Sequence, residues 1–131
     1  MNILQPSDWV RPRGYANGVA ARGTLVCTSG QFGWDSHSCL VSERYAEQAI
    51  QALHNIVAVL AEAGARPEHL IRLTWYVSDR DAYFAEAREV GLAYKSLIGY
   101  YPSMSAFHVQ GLMVEGAKVQ IEATAVIPDL E

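Results

Sequence analysis

Residues 117–127 read Ala-Lys-Val-Gln-Ile-Glu-Ala-Thr-Ala-Val-Ile. Val119, Ile121, Ala123, Ala125 and Ile127 fall on one side of an extended chain, and Lys118, Gln120, Glu122 and Thr124 on the other. This period of two predicts a strand with one apolar face. Upstream, residues 103–110 give a second strand. Residues 69–78 give a third, with Leu73, Trp75 and Val77 set against Arg72, Thr74 and Tyr76. Both of its sides are largely apolar or amphipathic, which suits a strand covered on both faces.

Between the strands the period changes. Tyr45, Ala49, Leu53, Ile56 and Leu60 recur at three and four residues, so a helix is predicted over about 43–63, with Ser42 as N-cap and Gly64 as its stop. A second helix is predicted from Asp79-Arg80-Asp81, acids favourable at a helix start, to about Leu97, with Gly99 ending it. Prolines 6 and 12 and glycines 14 and 18 make residues 1–17 an irregular arm. Val19-Ala20 and Thr24–Ser29, joined at Arg22-Gly23, read as a hairpin. The expectation is an α+β fold over residues 1–131 as one domain, β-β-α-β-α-β-β, with two helices packed on one face of a mixed sheet. Its other face would carry Cys27 or Thr28, Tyr76, Met104 or Phe107, and Val126. Covering that face calls for a closed homo-oligomer.

Composition narrows the function. The chain has 131 residues, half of them apolar and 18% charged, which is a globular composition. Ten Lys and Arg against fourteen Asp and Glu give a formal charge of −4, with the cations dispersed apart from Arg11 and Arg13. Such a surface repels a phosphate backbone, so nucleic acid is a poor fit as partner. The N-terminus shows no basic region followed by an apolar stretch and the chain has no long apolar segment, so a cytoplasmic protein without membrane association is expected. Two cysteines are too few for a disulfide framework, and Cys27 in its apolar run reads as a buried thiol. Glycine loops for nucleotides and CxxC or HExxH metal motifs are missing, and His37, His54, His69 and His108 lack metal-site spacing; neither metal nor cofactor is expected.

Several residues stand out chemically. Glu122 interrupts an apolar run: it either faces solvent or stands in a lined cleft, where it would hold or deprotonate a water. His108, between Phe107 and Val109, is either an interior or interface histidine or a proton carrier. Ser29-Gly30-Gln31-Phe32-Gly33-Trp34 is either a plain turn or a place where backbone N–H groups meet an anion, with Trp34 walling a planar substrate. Arg13 near the arm either faces water or pairs with a substrate carboxylate.

Taken together, Gly14-Tyr15-Ala16-Asn17-Gly18-Val19, Ser29-Gly30-Gln31, Gln48 with Leu53-His54-Asn55-Ile56, Leu60-Ala61-Glu62-Ala63-Gly64-Ala65, Tyr76-Val77-Ser78-Asp79, Tyr101-Pro102 and Val119–Ala125 resemble the RidA family, also known as YjgF/YER057c/UK114. The resemblance implies a chorismate mutase-like fold of the bacterial trimeric type and a homotrimer with intersubunit clefts. It also implies cofactor-independent hydrolysis of enamines and imines to a carbonyl compound and ammonia, with a small organic amine or carboxylate as ligand. Some relatives deaminate 2-aminomuconate, and some members are described as ribonucleases. The family's water-holding glutamate falls on Glu122, its cleft tyrosine on Tyr15 and its glycine near the substrate on Gly30. The family's carboxylate-binding arginine, two residues after the Tyr-Pro pair, is Met104 here; its cysteine is Ala106, and its glutamate on that strand is His108. Two explanations follow. Either the cation has moved to His108, Arg13 or Arg88, serving a larger conjugated amine against Trp34 and Phe107, or the trimer binds a ligand or protein without catalysis.

Overall fold

The computed structural model describes residues 1–130. Its strands and helices are β1 (Asn2–Leu4), β2 (Gly18–Ala20), β3 (Gly23–Cys27), α1 (Tyr45–Glu62), β4 (Leu70–Val77), α2 (Arg80–Ala85), α3 (Ala87–Leu97), β5 (Ser103–His108) and β6 (Val119–Pro128), with a short 3-10 turn at Pro67–His69 before β4. The main sheet has the order β3-β6-β4-β5. β6 runs antiparallel to both β3 and β4, while β4 and β5 are parallel, joined by the α2–α3 crossover.

The helical stripe read from the sequence is the one that packs. Tyr45, Ala49, Leu53, Ile56 and Leu60 are all buried, and they meet Leu73, Trp75 and Val77 of β4 and Val119, Ile121, Ala123 and Ala125 of β6. Ala46, Ala49 and Ala52 have no exposed surface; their small side chains let α1 lie close on the sheet. The helix ends as its sequence predicts. Gly64 takes φ +79°, its N–H reaches the carbonyl of Ala61, and the N–H of Ala65 reaches Leu60 at 3.0 Å, which is a Schellman closure.

Four expectations need correcting. The arm is not wholly irregular, because Asn2–Leu4 pairs with Gly18–Ala20 in a separate two-stranded sheet. For the same reason β2 and β3 are not a hairpin: β3 pairs with β6 instead, since its Val26 must share the core side with Ala125. The second helix is two helices, broken at Glu86. The N-cap of α1 is Arg44, not Ser42, and Arg44 supplies no side-chain cap. The capping group comes from the break itself: Glu86 Oε1 accepts the Ala46 N–H at 2.8 Å, forty residues away in the chain. Ser42 Oγ accepts from the Arg44 N–H and donates to Glu47 instead.

Gln48 is fully buried at the first turns of α1. Its Nε2 donates to the carbonyls of Ser42 (2.9 Å) and Gly116 (3.0 Å), and its Oε1 accepts from the Lys118 N–H (2.8 Å). These bonds fix the entry into β6 against the helix. Gln48→Ala strands three backbone groups and should cost about 2 kcal/mol, read as a lower urea midpoint at unchanged slope.

Candidate active site

The two faces of the main sheet carry different chemistry. On the face away from α1, neighbouring strands place residues in rows: Ser103, Arg72 and Thr124; then Ser105, Thr74 and Glu122; then Phe107, Tyr76 and Gln120. Cys27 and Leu25 of β3 continue the same face beside Thr124 and Val126. Strand alternation that sends Ile121 and Ala123 into the core therefore sends Glu122 outward, where it is half-buried.

Glu122 is held there. The Tyr76 hydroxyl donates to its Oε1 at 2.9 Å, and the Tyr76 ring stacks on Phe107 with centroids 6.0 Å apart. That hydrogen bond pushes the Tyr76 phenol above its ordinary value, with desolvation and the Glu122 charge adding to the effect and Arg72 opposing it. The phenol therefore stays a donor through the neutral range. Gly30 lies against this group: a Cβ there would overlap the Gln120 side chain, which would have to swing away to admit it. The Gln31 N–H donates to the Ile121 carbonyl at 2.7 Å and completes that contact.

On the other side, between β5, α2 and α3, lies a cavity of about 540 Å³. Arg13, Tyr15, Met104 and Ala106 line it together. Met104 and Ala106 point there because their β4 partners in register, Leu73 and Trp75, face the helices. A smaller cavity of about 200 Å³ adjoins it, with Phe107 and His108 in its wall beside Arg80 and Phe84.

The sequence-derived residues thus separate into groups. Arg13, Tyr15, Met104 and Ala106 share the large cavity; His108 and Phe107 share the small one, and Phe107 also reaches the Tyr76–Glu122 pair. Glu122 and Gly30 belong to the opposite face and line neither cavity. Trp34 lines neither cavity. Its ring packs on Phe32 at 5.0 Å, and its carbonyl, like that of Phe32, accepts from the Asn55 amide. Arg88 is exposed on α3, outside both cavities. Of the residues expected on the outer face, Cys27, Tyr76, Phe107 and Val126 are there, whereas Met104 is not and Thr28 is buried, its hydroxyl accepting from the Ala123 N–H. Cys27 is exposed in the chain, not buried.

Two features escaped the sequence reading. Arg72 lies one row from Glu122 and is in no ion pair among the described residues. The large cavity is also walled by aromatic rings from six separate segments, which only the folded chain brings together. Among the described residues no cluster of three or more His, Cys, Asp or Glu is placed to hold a metal ion, and no helix is long and apolar enough to cross a membrane.

A family model for Endoribonuclease L-PSP, the group that includes RidA and YjgF, matches residues 10–127. The chain is a member of the RidA family. This RidA-family chain is 30% identical over 112 residues to the 2-iminobutanoate/2-iminopropanoate deaminase of Salmonella typhimurium, covering 86% of each. It is 33% identical to the human protein of that name, over 86% of this chain and 79% of the other. A crystal structure of a protein of unknown function of the conserved Rid family, YyfB from Yersinia pestis, superposes with a TM-score of 0.83 at 27% identity, covering 96% of this RidA-family chain and 98% of the other. The fold is the chorismate mutase-like α+β fold of that family.

Proposed function

We propose that the protein hydrolyses the C=N bond of an imine, or of an enamine after tautomerisation, to a carbonyl compound and ammonia without a cofactor. It does so as a cytoplasmic homotrimer whose sites lie between subunits. The observation that carries this reading is the separation of its parts. Glu122, fixed by Tyr76, stands on one face of the sheet, while Tyr15, Met104 and Ala106 surround a cavity on the other. Within one chain they cannot meet a common ligand; across two copies they can. The deaminases among the relatives support the imine chemistry.

In the mechanism, Glu122 accepts a proton from a water as that water adds to the imine carbon. The tetrahedral carbinolamine then collapses, nitrogen leaves as ammonia, and the C=O bond forms. A backbone N–H near Gly30 or Ala106 faces the developing charge, and His108 relays a proton. Because Met104 offers no N–H for a carboxylate, Arg13 takes that role. The substrate is larger than a three- or four-carbon imino acid; the expected conjugated amine 2-aminomuconate has the size, and its second carboxylate weighs against it in a cavity with one cation among its lining residues.

A shared site has a specific test. Glu122→Gln and Ala106→Trp, the second obstructing the cavity, should each be inactive alone, and mixed trimers co-refolded from both should regain ammonia release. Absence of recovery in trimers shown by mass to be mixed would place all the groups within one subunit and end this reading.

A further inference from the structure

The large cavity is a poor match for a small imino acid. A three- or four-carbon substrate would leave most of its 540 Å³ empty, and the volume lies within the range of cavities that enclose far larger ligands. Its walls say what else belongs there. Tyr45, Trp75, Tyr83, Tyr94 and Tyr101 surround it, with Met104 and Val90 between them. The Tyr45 and Tyr94 phenols are pushed up by burial, so their rings stay neutral, and the Tyr94 hydroxyl is already bonded to the Tyr100 carbonyl. Arg13 is the one cation among the lining residues.

Gly91 adds an independent observation. It sits inside α3 and lines the cavity, yet its φ is not positive and nothing lies within 4 Å of where its Cβ would be. Neither backbone geometry nor close packing requires glycine there, and glycine weakens a helix interior. What it does is leave room.

We propose that this cavity receives an uncharged, planar, apolar side chain, so that the substrate is an aryl-bearing 2-imino acid whose single carboxylate lies at Arg13. The proposal rests on the imine-hydrolase reading for its chemistry, R–C(=NH)–CO₂⁻ plus water giving R–CO–CO₂⁻ plus ammonia, and on the cavity alone for R. Aromatic rings reward a phenyl group by removing its surface from water and by stacking, and with Arg13 as the one cation among the lining residues they supply no second charge for a second carboxylate. An acid with a charged tail is therefore selected against, and one with a methyl tail is weakly held.

The test uses products, so that binding is read without turnover. Phenylpyruvate, 2-oxobutanoate and trans,trans-muconate are titrated calorimetrically into the whole protein. Phenylpyruvate should bind at least ~10-fold more tightly than either of the others, and its ring should shift the indole N–H resonance of Trp75. Gly91→Leu, which fills the space from a helix position, should lower the preference for phenylpyruvate over 2-oxobutanoate at least ~10-fold. Equal or reversed preference in the wild-type protein overturns the proposal, and so does an unchanged preference in a folded Gly91→Leu variant. The wild-type comparison stands even where that variant does not fold. Preference for phenylpyruvate with no imine turnover would sink the catalytic reading and keep the cavity; turnover without the preference would do the reverse.

Discussion

Glu122→Gln lowers ammonia release from whichever 2-imino acid the wild-type protein turns over fastest, generated in place, by at least ~100-fold, while the thermal midpoint and the assembly mass stay as they are. Geometry makes the change selective. The amide oxygen of glutamine still accepts the Tyr76 hydroxyl that now bonds Glu122 Oε1 at 2.9 Å, and the side chain keeps its length and its half-buried place on β6. What is lost is the ability to take a proton from water, because an amide has no basic oxygen of use near neutral pH. A fall of that size is the ordinary worth of one general base. Unchanged turnover would remove Glu122 from the chemistry, and with it the reason for pairing the two sheet faces across subunits. A protein that binds organic acids with high affinity yet releases no ammonia in either form would be a binding trimer.

Met104→Arg changes activity in the opposite direction. Met104 is half-buried in the same cavity as Arg13 and Tyr15, and a thioether gives a carboxylate no hydrogen bond. A guanidinium there adds a charge-assisted contact worth roughly 1.5 to 3 kcal/mol, which corresponds to about a 10- to 150-fold rise in kcat/KM for 2-aminoacrylate. The same substitution should reduce activity on aryl imines, since it puts a charge among the rings. Activity is measured on 2-aminoacrylate and on a phenylpyruvate-derived imine side by side. A folded variant with no gain on the smaller substrate would show that the cavity has diverged in shape and not merely in its anchor.

Much of this could be read before folding. The α1 stripe, its glycine stop and the alternation of β4 and β6 were legible because each is a periodicity within one segment, and burial follows period directly. The Glu86 cap was not, because its two ends are forty residues apart and Ser42 offered a plausible local alternative. Pairing of β3 with β6 in place of β2 was hidden for a related reason: hairpin signals are local, and register with the last strand is not. The candidate site divides in the same way. Glu122 could be picked out from its neighbours in sequence, and Tyr15, Met104 and Ala106 from the resemblance to the family. That Glu122 and Met104 lie on opposite sides of one sheet depends on the parallel register of β5 with β4. Trp34 was assigned to the site for its ring and its glycines, but those glycines serve close packing: a Cβ at Gly33 would overlap the backbone of Gln48. The aromatic enclosure drew on residues 15, 45, 75, 83, 94 and 101, a set with no common spacing.

The joint at Glu86 ties two roles together. It separates α2 from α3, whose Tyr83, Ala87 and Val90 bound the cavity, and its carboxylate holds the opening turn of the longest helix. A backbone shift that widened or narrowed the enclosure would therefore pull on the helix that carries the core. Divergence among descendants has a cheaper route in exchanging single side chains at 91, 104 and 106, so that ligand preference drifts while the scaffold stays nearly immobile.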